Sequence, residues 1–523
     1  MSDNPYLREL QANLPRLLAM FDADPTSGSC GMGDRYYWAW GLIDFGNGTF
    51  QGAAHGMARL WRSGLWPYAT PQTQFIARID SLFCAADKLT RKDGSLEEAF
   101  PNEGSYCVTA LVAFDLLCAL DLLRTEIDEP IQSRWLEIIA PMATYLKTAD
   151  ETHALISNHL ATAVAALARW HQATRDTAAQ ARARQLLDRI LRHQSVEGWF
   201  KEYEGADPGY QSLCTYYLAD VHHTRPDWAL LEPLRKSIEF LWHFAHPDGS
   251  FGGLYGSRCT RFYYPAGVLA LAGEIPEAAA LAAFMTQSIH RQTVVTLSAI
   301  DEPNFVPTFN AYCWAAVLSR QGLGAVAPSH ECILPALDTT PTRKSYPQAG
   351  LLVDRGVQHY TIVSTHKGGV LYHFAAGKAA IQNAGIVVRD PKGRLGSSQT
   401  YEMANKVTWQ GDALEVQAAI ALMPKQLPSP MQFIALRVLC VTAFRFAALR
   451  EWVKQQLVRM LITGAKPWPA SNTRTIQLGE KLTLTDEPIL PHGYMQLKDI
   501  KMFVPIHMAS QGYWQIQDEE GRV

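Results

Sequence analysis

"DGSLEEAFPNEGSYC", residues 93–107, and "EGWFKEYEGADPGYQ", residues 197–211, align without a gap at an offset of 104. Gly94 falls on Gly198, Leu96 on Phe200, Glu98 on Glu202, Glu103 on Asp207 and Tyr106 on Tyr210. Half of that offset is 52, and one such step from Tyr106 reaches Asn158, inside "HALISNHLATAVAALARW", residues 153–170. The same step reaches "SRCTRFYYPAGVLALAG" at Phe262 and "GTFQGAAHGMARLW" beside His55, and a slightly shorter one reaches "PTFNAYCWAAVLSR" near Asn310. All six segments share one plan: a Gly/Pro/polar loop, a polar or aromatic pair, then an Ala/Leu-rich run with helical periodicity. Repetition at this period marks a repeat architecture, and each unit has room for two helices and two loops. Six helical hairpins predict an (α/α) toroid over residues 1–321, with an inner and an outer ring. A superhelical solenoid satisfies the same period. In a closed ring the equivalent positions converge on one end of a central funnel. Asn158 and His159 would then share a mouth with Tyr106, Tyr210 and the Arg258–Tyr264 stretch.

Beyond residue 321 the pattern changes. A Pro/Thr-rich linker over 322–345 leads into short β-rich runs over 346–523, among them "HYTIVSTHKGGVLYHF" (359–374), "KVTWQGDALEVQAAIAL" (406–422) and "TRTIQLGEKLTLTD" (473–486). Alternation and turn signals at this spacing predict an antiparallel β-sandwich. The expected fold is therefore α+β and multidomain.

The 47 basic residues nearly balance the 50 acidic ones, which argues against a general nucleic-acid binder. A few local cations still suffice for an anionic ligand. Nine dispersed cysteines, without any CxxC pair, read as free thiols in a reducing compartment. The first residues lack an apolar signal core, and the longest apolar run, "MQFIALRVLCVTAFRFAAL" (431–449), is broken by Arg437 and Arg445. The expectation is a cytoplasmic protein without a membrane span.

Asn158 and His159 stand together at the head of a core helix, where an N-cap needs only one of them. An amide beside an imidazole can hold a carboxylate near neutrality, which acidifies the carbon next to it. Tyr210 follows a polar loop, and a phenol suits a reaction in which a proton leaves carbon and another reaches a leaving oxygen. Arg258 and Arg261 lie among Tyr255, Tyr263 and Tyr264, a composition suited to a sugar carboxylate or sulfate. Trp199 and Tyr106 join them as candidate substrate-binding residues. His366, in "THKGG", is a candidate second proton carrier. Each of these residues, taken alone, also has a packing or loop-stabilising reading. Glu97, Glu98, Glu103, Glu202, Glu204 and Asp207 occupy the same loops, and any two would serve a glycoside hydrolase. His222–His223 and "HECI" (330–333) lack a closing ligand set for a metal. No acid cluster of the DxDD or DDxxD type supports a terpene cyclase.

With these motifs the chain resembles the heparinase II/III-like and alginate-lyase-like polysaccharide lyases. That resemblance implies an incomplete (α/α) toroid followed by antiparallel sandwich sheets, and it covers most of the chain. It implies that Asn158 and His159 neutralise a uronate carboxylate, that Tyr210 donates a proton and in several members abstracts one, and that His366 completes the site. Arg258 is carried over as a substrate-binding cation. The implied reaction is β-elimination on an anionic polysaccharide or oligosaccharide, with no cofactor required, although some relatives hold a structural metal ion in the sandwich. Such lyases are usually exported and have a longer second domain. A hydrolase with paired acids such as Glu103 and Asp207, or a non-catalytic protein of envelope-polysaccharide biosynthesis, remain the alternatives.

Overall fold

The computed structural model describes residues 4–151, 154–323, 332–423, 429–458 and 466–497. His153, residues 324–331 of the predicted linker (with His330 and Glu331) and residues 498–523 of the predicted sandwich lie outside the described residues. The chain begins with α1 (Pro5–Met20) and a short α2 (Arg35–Trp38). Inner and outer helices then alternate: α3 (Ala53–Arg62) and α4 (Gln72–Leu89), α5 (Tyr106–Leu123) and α6 (Glu129–Thr148), α7 (Ser157–Thr174) and α8 (Thr177–Arg192), α9 (Pro208–Thr224) and α10 (Leu231–Leu241), α11 (Pro265–Leu271) and α12 (Pro276–Arg291), and finally α13 (Glu302–Arg320). The inner starts hold close to the 52-residue step from α3 to α9. The fifth falls late, because the long 245–264 loop precedes a helix of only seven residues, and the sixth falls early.

Among the described residues α3, α5, α7, α9, α11 and α13 each pack on the next, and α13 packs back on α3, so the ring closes and the solenoid alternative falls. Closure is polar as well as apolar. Asn310 on α13 accepts from the Gly56 amide at 3.0 Å and donates to the Gly52 carbonyl at 2.9 Å. The outer helix of this last hairpin comes from the other end of the toroid sequence: α1 packs against α13 and α12. Small side chains explain why the inner helices can be buried on every side. α7 buries Ala161, Ala163, Ala165, Ala166 and Ala168, and close-packed interiors tolerate few voids. α5 is long and apolar enough to cross a bilayer, yet it is a buried core helix of the ring.

The C-terminal region holds two antiparallel sheets. The first is a meander of β1 (Thr342–Tyr346), β2 (Leu351–Arg355), β3 (His359–Ser364), β4 (Val370–Ala375) and β5 (Ile381–Asn383), in that order. β1 thus begins inside the stretch expected to be linker. The second contains β6 (Val387–Arg389), β7 (Leu395–Ser397), β8 (Lys406–Gln410), β9 (Ala413–Leu422), β10 (Pro467–Gln477), β11 (Thr483–Ile489) and β12 (Met495–Gln496), ordered β11-β10-β9-β7-β6-β12 with β8 also on β9. Strand alternation gives the first sheet two apolar faces. Leu352, Val363 and Leu371 meet Leu414, Val416 and Ile476 of the second sheet. Leu351, Val353, Tyr360, Ile362, Val370 and Tyr372 join the toroid core. The sandwich is therefore docked through one of its faces on the ring.

One expectation is corrected here. The 346–523 region is not all β: the apolar run at 431–449 forms α14 (Pro430–Val441) and the start of α15 (Ala447–Val458). Ser429 and Gln432 close a capping box with Pro430 in the first turn, which starts a helix rather than a strand. This hairpin lies against the 93–105 loop of the toroid, where Asn102 Nδ2 donates to the Cys440 carbonyl at 3.0 Å and Phe100 packs on Phe444.

Candidate functional site

The loops that precede the inner helices bring together a buried polar cluster. Asp207 caps α9, accepting from the Tyr210 amide at 3.1 Å, and its other oxygen accepts from the Arg258 amide at 2.9 Å. One carboxylate thus fixes both a helix start and the loop of the next hairpin. The Arg258 guanidinium lies between two phenol rings, its carbon 4.6 Å from the Tyr210 ring centre and 4.7 Å from that of Tyr203. Its Nη1 donates to Glu202 Oε1 at 2.8 Å, and Asn158 Nδ2 donates to Glu202 Oε2 at 2.6 Å. Glu202, Asn158, Arg258 and Tyr210 are 3, 2, 7 and 8 % exposed, so these are interactions in a site from which most water is excluded.

Asn158 is not the cap of α7. Ile156 holds that position and the amide turns to Glu202. His159 turns the other way: its Nδ1 meets Glu151 Oε2 at 2.7 Å, beside the Cys107 thiol. Burial opposes its charge, but Cys107 and Glu151 outweigh burial and hold His159 well above the usual histidine range. Burial pushes Glu202 up, against the pull of Arg258. Burial also raises the Tyr210 phenol, again with Arg258 opposing. Among the described residues no hydrogen bond engages the Tyr210 hydroxyl.

His366 lies in the β3–β4 turn, two residues past the end of β3. Its Nδ1 is 3.1 Å from the Tyr401 hydroxyl, and that hydroxyl is 3.4 Å from the Glu204 carbonyl. The His366–Tyr401 pair therefore abuts the same 202–207 loop that carries Glu202. Burial lowers His366 below its ordinary value.

The remaining candidates divide differently. Tyr106 starts α5 with a buried, unpartnered hydroxyl next to the Tyr145 ring, one hairpin away. Trp199 donates to Glu197 at 2.9 Å, and Glu197 in turn accepts the Gln348 and Ala349 amides, so this tryptophan belongs to the junction with the sandwich. Tyr255 bonds His246 at 2.8 Å and packs on Tyr372, and Tyr263 donates to the Met285 carbonyl at 2.8 Å. Both hydroxyls are spent inside the core, so these two tyrosines pack rather than face a ligand. Arg261 lies on that same side, against Tyr372. A loop that alternates direction sends Arg258 to the cluster and its neighbours to the core, which spacing in sequence does not resolve. The acids offered for a hydrolase are mostly tied down: Glu97 accepts the Asn102 and Gly104 amides, and Glu103 the Glu98 and Ala99 amides. Sequence reasoning missed Glu202 as the hub, and Tyr203, Glu151 and Tyr401 altogether. The Glu98–Glu202 repeat match was the one signal for the first.

No family model matches the sequence, and no curated protein matches it. Solved structures do match. A chondroitin AC lyase of Streptomyces coelicolor A3, solved with chondroitin sulphate, superposes with a TM-score of 0.54 at 14% identity, over 81% of this chain and 67% of that one. A Paenibacillus xanthan lyase gives 0.50 at 12% identity, over 81% and 46%. The fold is that of the α/α-toroid polysaccharide lyases. This chain spans about half the length of the xanthan lyase. A cellobiose 2-epimerase of Bacillus thermoamylovorans also matches, at 10% identity and a TM-score of 0.44, over 61% of this chain and 100% of that one.

Proposed function

We propose that the protein cleaves a uronic-acid-containing saccharide by β-elimination at the cluster around Tyr210. The observation that carries the reading is an unengaged phenol hydroxyl whose ring lies 4.6 Å from the Arg258 guanidinium, a guanidinium that shares Glu202 with the Asn158 amide. Elimination needs a uronate carboxylate whose charge is offset, so that the adjacent C5 proton becomes acidic; Asn158 and Arg258 supply that offset. Tyr210, as its phenolate, takes the proton and becomes the phenol, the C5–H electrons form the C4=C5 double bond, and the C4–O bond breaks. The departing oxygen is then protonated by Tyr210 or by the His366–Tyr401 pair. Burial, the larger effect, raises the Tyr210 phenol, and Arg258 offsets part of that rise in favour of the phenolate this scheme needs. The Glu151 carboxylate, 2.7 Å from His159 Nδ1, favours the charged imidazole, so His159 acts on the site as a charge rather than as the base.

One observation favours a second reading. Glu202 is a buried carboxyl with a raised pKa, the property of a general acid in glycoside hydrolysis. Ultraviolet absorbance and reducing ends, measured on heparosan, chondroitin and alginate, separate the two. Elimination predicts a new conjugated absorbance that Tyr210→Phe lowers at least about 100-fold, in the range set for a proton-transfer group. Reducing ends without absorbance, lost in Glu202→Gln but kept in Tyr210→Phe, would establish the hydrolase instead.

A further inference from the structure

Glu202 has no part in the elimination scheme, yet it stands where that scheme needs room. Its two oxygens take the Asn158 amide at 2.6 Å and the Arg258 guanidinium at 2.8 Å, the groups assigned to a substrate carboxylate. A uronate entering beside it would set two carboxylates on one guanidinium in a water-poor site, an arrangement that like-charge repulsion disfavours. Glu151 and Asp207 add negative charge near by, against Arg258 and His159.

The seat does not depend on its occupant. Arg258 is held by its amide on Asp207 and by the Tyr203 and Tyr210 rings, and Asn158 by its place in α7. The Glu202 backbone is held too, bridged to Ile156 and Gly205, with the Ser157 amide on the Lys201 carbonyl at 3.0 Å and the Tyr203 amide on the Leu155 carbonyl at 3.1 Å. The Glu202 carboxylate itself is held by the Asn158 amide and the Arg258 guanidinium, at the end of a stem with rotatable bonds.

We infer that Glu202 is an internal ligand: it fills a carboxylate seat formed by Asn158 and Arg258, and yields that seat to the carboxylate of an acidic saccharide. The identity of the displacing ligand rests on the lyase reading; the seat rests on the three side chains alone.

The test is binding rather than turnover. In Glu202→Ala the vacated seat takes formate or acetate, read as a saturable rise in melting temperature over chloride at matched ionic strength. The intact protein shows no such rise, and Glu202→Ala combined with Asn158→Ala loses it. Should Glu202→Ala fail to fold, Glu202→Gln keeps the shape and removes the charge, and calorimetric titration with glucuronate is expected to show at least about tenfold tighter binding than the native chain, a gain of one decade per 1.4 kcal/mol. Carboxylate binding in these variants without any polymer cleavage by the native chain would sustain the seat and remove the lyase. A folded Glu202→Ala that ignores formate and acetate, or a Glu202→Gln that binds glucuronate no better while losing cleavage activity, would overturn the inference and make Glu202 a participant in the chemistry.

Discussion

Glu103 and Asp207 occupy equivalent places in the repeat and do different work. Asp207 is wholly buried and shares its oxygens among backbone amides of α9 and the 258–260 loop. Glu103 accepts the Ala99 amide at 2.7 Å and faces Lys454 of α15 at 3.8 Å. Burial pushes it up to about 7, with Lys454 opposing and Glu98 adding to the rise. An unfolded glutamate titrates near 4.3, so between that value and about 7 the folded chain binds more protons than the unfolded one. The stability this group lends is present in full below the unfolded value and is lost as pH rises through the folded value. Urea unfolding at both ends of that window is expected to show Glu103→Gln losing less stability with rising pH than the native chain, by on the order of 1–3 kcal/mol. Parallel profiles would remove Glu103 as the cause. At this scale the repeat made Asn158, Tyr210 and Arg258 legible as neighbours. It did not show that a carboxylate of the chain joins them, because Glu202 and Asn158 meet through a loop bridge between hairpins.

The β3–β4 turn shows how one element holds two domains. Lys367 is 3 % exposed, and its ammonium donates to the Leu254 and Gly256 carbonyls and the Cys259 thiol of the 245–264 loop. Gly368 permits the turn: its φ is +63°, and a Cβ there would lie 2.2 Å from the Ser398 carbonyl oxygen. Lys367→Met keeps the stem and leaves those carbonyls without a donor. It is expected to cost roughly 2–4 kcal/mol in denaturant unfolding and to raise hydrogen exchange in the 252–260 loop. A variant with native exchange there would show that the apolar face of the sheet alone fixes the docking. The "THKGG" stretch was readable as holding a candidate histidine; that its lysine is the structural member followed only from the loop it meets.

For the whole molecule the decisive feature is the first sheet, which gives one face to the second sheet and the other to the ring. Tyr360 donates to the His243 carbonyl at 2.6 Å, and the Tyr372 hydroxyl accepts the Leu254 amide at 3.2 Å, so even the tyrosines of that face bond to toroid loops. Sheet and ring share one core and should unfold together. Scanning calorimetry is expected to give a single transition whose calorimetric and van't Hoff enthalpies agree. Two resolved transitions would mean that the shared face contributes little.

The sequence by itself determined the helical hairpins and the strands, because both follow from periodicities the chain must carry: a 52-residue hairpin repeat with Ala-rich inner helices, and two-residue alternation in the strands. It also marked the end of the ring where polar side chains gather. Closure of the ring by α13 on α3, the helical hairpin α14–α15 over the 93–105 loop, and the choice of Arg258 over Arg261 were decided by tertiary structure alone. The reason is the same in each case. Periodicity fixes which residues share a face, but direction within a loop and pairing between distant charges depend on what the neighbouring hairpin presents. Glu202 between Asn158 and Arg258 is the contact in which that difference matters most.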